Sequence, residues 1–128
     1  MDKSIYIDKF NEKIIELFTD LCMCFSGINE FKKIKSGLIL FSNMEPKGPE
    51  RIFRKNVSEK FRTQILEKND DFFLKEATFD IHSTREEYWK DFIEQLKVVW
   101  TSIDDNNRDT IWKYFQILII LSDKCKIA

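Results

Sequence analysis

The last stretch of the chain, from Asp104 to about Lys124, most constrains what the sequence can fold into. Large apolar side chains recur there with the 3.6-residue period of an α-helix, at Ile111, Phe115, Leu118 and Ile119. The stripe then widens through Ile117, Ile120 and Leu121, until the final turns are apolar nearly all round. A helix of this kind needs cover on several sides. The pattern therefore predicts a central C-terminal helix, packed among the first, second and fifth helices of a bundle.

The same stretch is too short to cross a membrane. Its uninterrupted apolar run is Ile117–Leu121, whereas a membrane-spanning helix needs about 20 apolar residues. Lys113 and Gln116 interrupt the pattern before that run. Asp104 and Asp105 are typical of a helix start, where a carboxylate suits the positive end of the helix dipole. We therefore expect a buried helix and no membrane span.

Composition favours helices over a turn-rich β fold. The 128 residues are 43% hydrophobic and include 12 Phe and 3 Trp, but only 3 Gly and 2 Pro. This hydrophobic content is too high for a disordered chain, and the length suits one domain with a proper core. We predict an all-α fold, a compact bundle of five or six helices, as a single helical domain over residues 1–128.

Two amphipathic helices are predicted in the first third of the chain. The first begins near Asp8 and ends at Gly27, which would adopt the left-handed conformation common after a helix. Its apolar stripe is Phe10, Ile14, Leu17, Phe18, Leu21 and Phe25. The second begins at Asn29, and its stripe is Phe31, Ile34, Leu38 and Phe41.

The middle of the chain predicts a third helix over about 50–68, with a restart or bend near Ser58 and Phe61. Asn69, Asp70 and Asp71 would cap a short turn, and residues 75–82 read as a loop. Two overlapping capping boxes open the next helix, Ser83 with Glu86 and Thr84 with Glu87. That helix carries Trp89, Phe92, Ile93, Leu96, Val99 and Trp100 on one side.

Charge is unevenly distributed along the chain. Residues 28–62 hold nine Lys or Arg against four Glu, a net +5, whereas the chain as a whole carries −1. A basic middle segment is typical of a polyanion-binding face, or of helices that pair with acidic helices of the same molecule. The candidate phosphate contacts are Lys32, Lys33, Lys35, Arg51, Arg54, Lys55, Lys60 and Arg62.

Two aromatic residues of the last helix are candidate partner contacts. Trp112 and Tyr114 lie off its main apolar stripe, so we expect one of them to be exposed. An exposed aromatic side chain on a helix is typical of a protein-binding surface, and base stacking is the alternative.

The sequence offers no constellation of catalytic or metal-binding residues. Cys22 and Cys24 are about 200° apart around a helix, so they do not readily hold one metal ion. His82 is the one histidine, and it has no nucleophile or metal cluster in its motif. Helix capping explains both Asp-Asp pairs more simply than calcium binding does. We predict a protein that is not an enzyme and takes no cofactor and no metal.

The three cysteines, Cys22, Cys24 and Cys125, leave an odd thiol. With no signal peptide at the amino terminus, a reducing intracellular compartment is expected rather than a secreted disulfide framework.

Several segments carry a resemblance to a known family. They are Phe10 through Leu21, Gln64 through Leu66 followed by Asn69 through Leu74, and Trp100 with Ile111-Trp112-Lys113-Tyr114. In their order they resemble small helical proteins of unassigned function from nucleocytoplasmic large DNA viruses, including giant viruses. The resemblance spans most of the chain, and the segment 75–83 lies outside it. It implies a viral protein acting in the infected host cell cytoplasm or packaged in a virion, and it carries over no catalytic residue.

Together these observations predict a non-enzymatic viral interaction, scaffold or accessory protein, which binds a protein partner through an exposed helix face. A nucleic-acid-binding module that uses the basic segment 32–62 is the alternative. The oligomeric state stays open.

Overall fold

The computed structural model describes residues 3–69, 87–100 and 102–127. These residues form helices and no strand, which confirms the all-α prediction. In chain order the helices are α1 (Lys3–Cys24), α2 (Asn29–Met44), α3 (Gly48–Phe53), a π-helical turn (Arg54–Ser58), α4 (Glu59–Leu66), α5 (Glu87–Trp100) and α6 (Asp105–Ile127). Of these helices, none has the length and apolar character that a membrane crossing requires.

The core forms where α6 lies antiparallel to α1. Tyr114 meets Asp20 at one end of the pair, and the Lys124 amine lies 5.4 Å from the Tyr6 ring centre at the other. The main stripe of α6 is buried, and so is that of α1 apart from half-buried Phe25, as the 3.6-residue pattern requires. The fully enclosed side chains include Phe10, Ile14, Phe115, Leu118 and Ile119.

The neighbours of α6 differ in part from the prediction. Packing against α1 is confirmed, and α5 contacts α6 through Trp100, whereas α4 and the π-helical turn take the place predicted for α2. The apolar face of the α3–α4 segment explains this, because buried Val57 and Ile65 require cover that α6 supplies. Helix α5 packs mainly on α2, and Trp100 meets Trp112 of α6 edge to face at 5.5 Å.

Helix α1 is longer at its start than predicted, because it begins at Lys3 and not near Asp8. It ends at Cys24, and the following turn closes with a hydrogen bond from Ile28 N to Phe25 O of 3.0 Å. No glycine in the described part of the chain has a positive φ. The left-handed conformation predicted for Gly27 is therefore wrong, since ordinary turn geometry closes this connection.

The bend predicted near Ser58 and Phe61 is confirmed. The π-helical turn occupies 54–58, and Phe61 has non-helical angles, φ −129° and ψ 20°. The wider π turn rotates the chain, so that Asn56 is buried and its Nδ2 donates to Ile52 O at 3.1 Å. The capping boxes and the short turn predicted within 70–86 lie outside the described residues.

Helix α4 ends in a Schellman motif on a non-glycine residue. Lys68 has a φ of 54°, and the motif is closed by bonds from Asn69 N to Gln64 O and from Lys68 N to Ile65 O. A side chain in this conformation costs about 1 kcal/mol relative to glycine. The Lys68 amine also lies 3.5 Å from Asp109, an exposed pair that contributes little.

We therefore expect Lys68→Gly to raise the free energy of unfolding relative to Lys68→Ala by about 1 kcal/mol. Both variants remove the pair with Asp109, so only the backbone conformation distinguishes them. Urea denaturation of the two variants measures the difference. If Lys68→Ala were as stable as Lys68→Gly, the left-handed conformation of residue 68 would be contradicted.

Candidate functional site

The C-terminal helix has one face on which large apolar side chains remain partly exposed. We call the residues Lys113, Ile117, Ile120 and Lys124 the α6 outer face, since their spacing of i, i+4, i+7 and i+11 places them along one side of a helix. Ile117 is 39% exposed and Ile120 is 51% exposed, and both lysines are exposed.

The position of the neighbouring helices explains why this face is open. Tyr114 points to α1, and the Gln116 side chain donates to Leu66 O of α4 at 3.4 Å. On the helical wheel Ile117 lies about 60° from Tyr114, and Ile120 about 40° from Gln116. The outer face is therefore the arc between the two flanking helices. The final turns are covered on several sides, as predicted, but Ile117 and Ile120 of the apolar stripe remain partly exposed along this arc.

The two aromatic residues proposed as partner contacts are not exposed. Trp112 is 2% exposed and Tyr114 is 8% exposed. Trp112 packs against Trp100, while Tyr114 lies in the seam between α6 and α1. The exposure predicted for one of them is wrong, because helices on two different sides of α6 bury positions off its main stripe. A partner that docks on α6 therefore meets other side chains.

Tyr114 forms the polar part of the seam between α1 and α6. Its hydroxyl donates to the Asp20 carboxylate, and Glu16 Oε1 lies 3.2 Å away. The Lys13 amine pairs with Glu16 at 3.1 Å and lies 5.8 Å from the Tyr114 ring centre. Burial, followed by the hydrogen bond to Asp20, raises the pKa of Tyr114. The phenol is thus held neutral and joins the helices, which suits neither a nucleophile nor a base.

This raised pKa predicts a loss of stability in alkali. Below about pH 10 the phenol is protonated in both states; above it the unfolded chain releases the proton while the folded chain retains it. The free energy of unfolding therefore falls by up to about 1.4 kcal/mol for each pH unit above about pH 10. Tyr114→Phe removes this loss, because phenylalanine has no proton to release. We expect the stability advantage of the wild type over the variant to shrink between about pH 9 and pH 11. Urea denaturation at both pH values tests this, and an unchanged difference would contradict it.

The eight predicted basic residues differ in their exposure and in their ion pairs. Three of them pair with carboxylates of the same chain: Arg62 with Asp123 at 2.7 Å, Arg54 with Glu50 at 3.4 Å, and Arg51 with Glu45 at 3.5 Å. The others are exposed or, for Lys35, half-buried: Lys32, Lys33, Lys35, Lys55 and Lys60. The eight residues lie on α2 and on the α3–α4 segment. For the three arginines, the pairing favours complementarity within the molecule.

The residues considered for metal chemistry are dispersed. Cys22 is half-buried, Cys24 exposed and Cys125 buried, and none of the three forms a disulfide. Within 3–69, 87–100 and 102–127, no three His, Cys, Asp or Glu side chains are grouped as metal ligands. Asp104 instead caps α6, as predicted, by accepting from Asn107 N at 2.8 Å. His82, Asp70 and Asp71 lie outside the described residues.

Comparisons with protein-family models, curated proteins and solved structures find no match to this chain. The resemblance to proteins of large DNA viruses, with the location in an infected cell or virion that it implies, therefore stays a prediction. Function has to be argued from the geometry of the molecule.

Proposed function

We propose that this is a non-enzymatic interaction protein that binds a partner protein through the α6 outer face. The observation that carries the proposal is the pair Ile117 and Ile120, which are about half exposed on a helix whose intervening residues Leu118 and Ile119 are completely buried. Two large apolar side chains one turn apart form the kind of anchor that an apposed helix covers.

The apolar area of these two side chains limits the binding free energy that they contribute. Full burial of an isoleucine side chain stabilises by about 1.5–3 kcal/mol, so covering two half-exposed ones adds about 1.5–3 kcal/mol in total. That is enough for the centre of a weak or transient interface and too little for a permanent one. Leu66, which is 46% exposed on the adjoining end of α4, extends the apolar surface.

The charges at both ends of the face indicate the partner's chemistry. Lys113 and Lys124 flank the isoleucines on both sides. A second copy of α6, parallel or antiparallel, would place lysine against lysine, which is unfavourable. An amphipathic helix with acidic residues at both ends of its apolar stripe places opposite charges together. We therefore favour an acidic amphipathic helix over a second copy of this chain.

Binding of designed helical peptides tests the proposal. One peptide carries glutamates at both ends of a leucine stripe, and its matched control carries lysines at the same positions. We expect the acidic peptide to bind about tenfold or more tightly than the basic one at low salt, a preference reduced by added salt. Fluorescence anisotropy with labelled peptides measures both affinities.

Variants of the face supply the control. Ile117→Thr with Ile120→Thr should abolish binding of the acidic peptide, whereas Val98→Thr on α5 should leave it unchanged. Val98 is a suitable match because it is also β-branched and is 71% exposed. Equal affinity for the two peptides, or equal loss in the Val98 variant, would refute the proposed face.

The second candidate function, nucleic-acid binding, is supported by Lys32 and Lys33, which are adjacent and exposed on α2. If these lysines contact phosphates, the logarithm of affinity falls linearly with the logarithm of salt concentration. The slope is proportional to the number of phosphates that the protein neutralises. Replacing both lysines by glutamine removes about two of these contacts and should make the slope correspondingly shallower. Titration of a labelled oligonucleotide over a range of salt concentrations measures the slope. No binding at low salt would exclude this candidate.

A further inference from the structure

A small cavity between the start of α1 and helix α3 is lined by Ile7, Lys47, Glu50, Arg51 and Arg54, which we call the basic pocket. Its volume is about 110 Å³, which accommodates the five heavy atoms of a phosphate group. Three lining side chains are cationic and one is a carboxylate, so the lining carries +2.

The carboxylate of Glu50 is turned towards the interior and fixes the inner wall of the pocket. Its side chain is only 3% exposed. One oxygen accepts from Ser122 Oγ of α6 at 2.8 Å, and the other lies 3.4 Å from Arg54 Nη2. Glu50 therefore orients the Arg54 guanidinium, which has five N–H donors and remains partly exposed.

The two outer cations are held side by side. Arg51 N donates to Lys47 O at 3.2 Å, and the i,i+4 spacing places both side chains on the same side of the chain. Such like charges repel each other. Arg51 lies 3.5 Å from Glu45, longer than a strong charge-assisted hydrogen bond, and its side chain is 60% exposed. A bound dianion would relieve this repulsion.

The turn before α3 fixes the position of Lys47. Gly48 is buried, and a Cβ atom there would meet the Phe41 ring, 2.7 Å from its Cε1. Lys47 and Arg51 also line an adjoining depression of about 460 Å³. A ligand with its phosphate in the basic pocket therefore has space beside it for an attached organic group.

We infer that the basic pocket binds the dianionic phosphate group of a small phosphate monoester. Guanidinium groups recognise phosphate through paired, directed hydrogen bonds, which suits Arg51 and Arg54. The lining carries +2, or +1 when Glu45, the ion-pair partner of Arg51, is counted, and a net positive charge favours a dianion over a monoanion such as acetate. This site is separate from the α6 outer face, and each can fail without the other.

Calorimetric titration with inorganic phosphate and with adenosine monophosphate, against acetate at equal ionic strength, tests the inference. We expect saturable binding of one phosphate compound per chain and none of acetate. Tighter binding of the nucleotide than of inorganic phosphate would indicate that its organic part occupies the adjoining depression. Equal affinities would indicate that free phosphate is the ligand. Arg51→Gln should weaken binding by about tenfold or more, because a hydrogen bond to a charged group is lost.

The matched control is Lys68→Gln, which removes the same charge from an exposed position at the end of α4 and should change affinity by less than about twofold. Lys68 pairs with Asp109 in the first turns of α6, about 20 Å along that helix from Ser122, the partner of Glu50. If circular dichroism shows that Arg51→Gln is unfolded, Lys47→Gln, at an exposed position, supplies a second pocket variant. Equal weakening by the Lys68 variant, or binding of acetate as strong as that of phosphate, would overturn the inference. So would an oligonucleotide that binds more tightly than phosphate and is weakened equally by all three variants.

Discussion

Replacement of Leu118 by alanine is expected to lower the free energy of unfolding by about 2–5 kcal/mol, the range for a fully buried leucine. Leu118 has no exposed surface and lies on the side of α6 that faces the core. Alanine leaves a cavity there, because close-packed neighbours relax only partly. Urea denaturation followed by circular dichroism measures the change.

The adjacent residue provides the control. Ile117→Ala on the α6 outer face should cost less than about 1 kcal/mol, since only part of that side chain is buried and alanine favours helix formation. The two substitutions lie in the same helical turn, so their difference reports which face is packed. Comparable losses in the two variants would mean that α6 is covered on both sides.

Ser122→Ala is expected to lower the free energy of unfolding by about 1.5–3 kcal/mol, because it removes a buried hydrogen bond to a charged group. Ser122 is completely buried, and its hydroxyl donates to the enclosed carboxylate of Glu50. Without that donor, one oxygen of the buried carboxylate loses its hydrogen bond, while the other keeps its ion pair with Arg54. This bond ties α6 to α3, so its loss should also loosen the base of the basic pocket.

A double-mutant cycle separates the contact from its surroundings. Glu50→Leu combined with Ser122→Ala removes both partners, so neither polar group is left buried without the other. We expect the double variant to be more stable than the sum of the two single effects predicts, by about 1 kcal/mol or more. Strict additivity would show that the Glu50–Ser122 bond contributes nothing.

The first two helices follow closely from the sequence. The predicted stripes of α1 and α2 are buried apart from half-buried Phe25, with Phe10, Ile14 and Phe31 fully enclosed. Each of these helices presents one apolar side, so hydrophobic periodicity is sufficient to identify it. The bend predicted near Ser58 and Phe61 is confirmed as well.

The surroundings of α6 could not be read in the same way. A helix with apolar residues on nearly every side does not indicate which side will lack a neighbour. Trp112 and Tyr114 lie off the main stripe, yet helices on two flanks bury them. One signal was present, since Lys113 and Lys124 flank Ile117 and Ile120 at helical spacing, a pattern expected of a solvated face.

The basic pocket was only partly predictable. Arg51 and Arg54 were candidates from charge alone, whereas Lys47 and Glu50 were not. Their roles depend on tertiary contacts: Gly48 against Phe41 positions the turn, and Ser122, distant in sequence, donates a hydrogen bond to Glu50. Periodicity describes contacts within one helix and does not specify such contacts between helices.

The central claim is that α6 is buried against α1 and α4 and is open to solvent along one arc. Hydroxyl-radical footprinting of the wild-type protein tests this claim most directly. Tryptophan and tyrosine react readily when exposed, so protection of Trp112 and Tyr114 relative to the unfolded chain would be informative. We predict that Trp112 and Tyr114 are protected in the folded protein. We also predict that Ile117 and Ile120 are labelled and that Ile119 is not. Labelling of Trp112 and Tyr114 with protection of Ile117 and Ile120 would contradict the account.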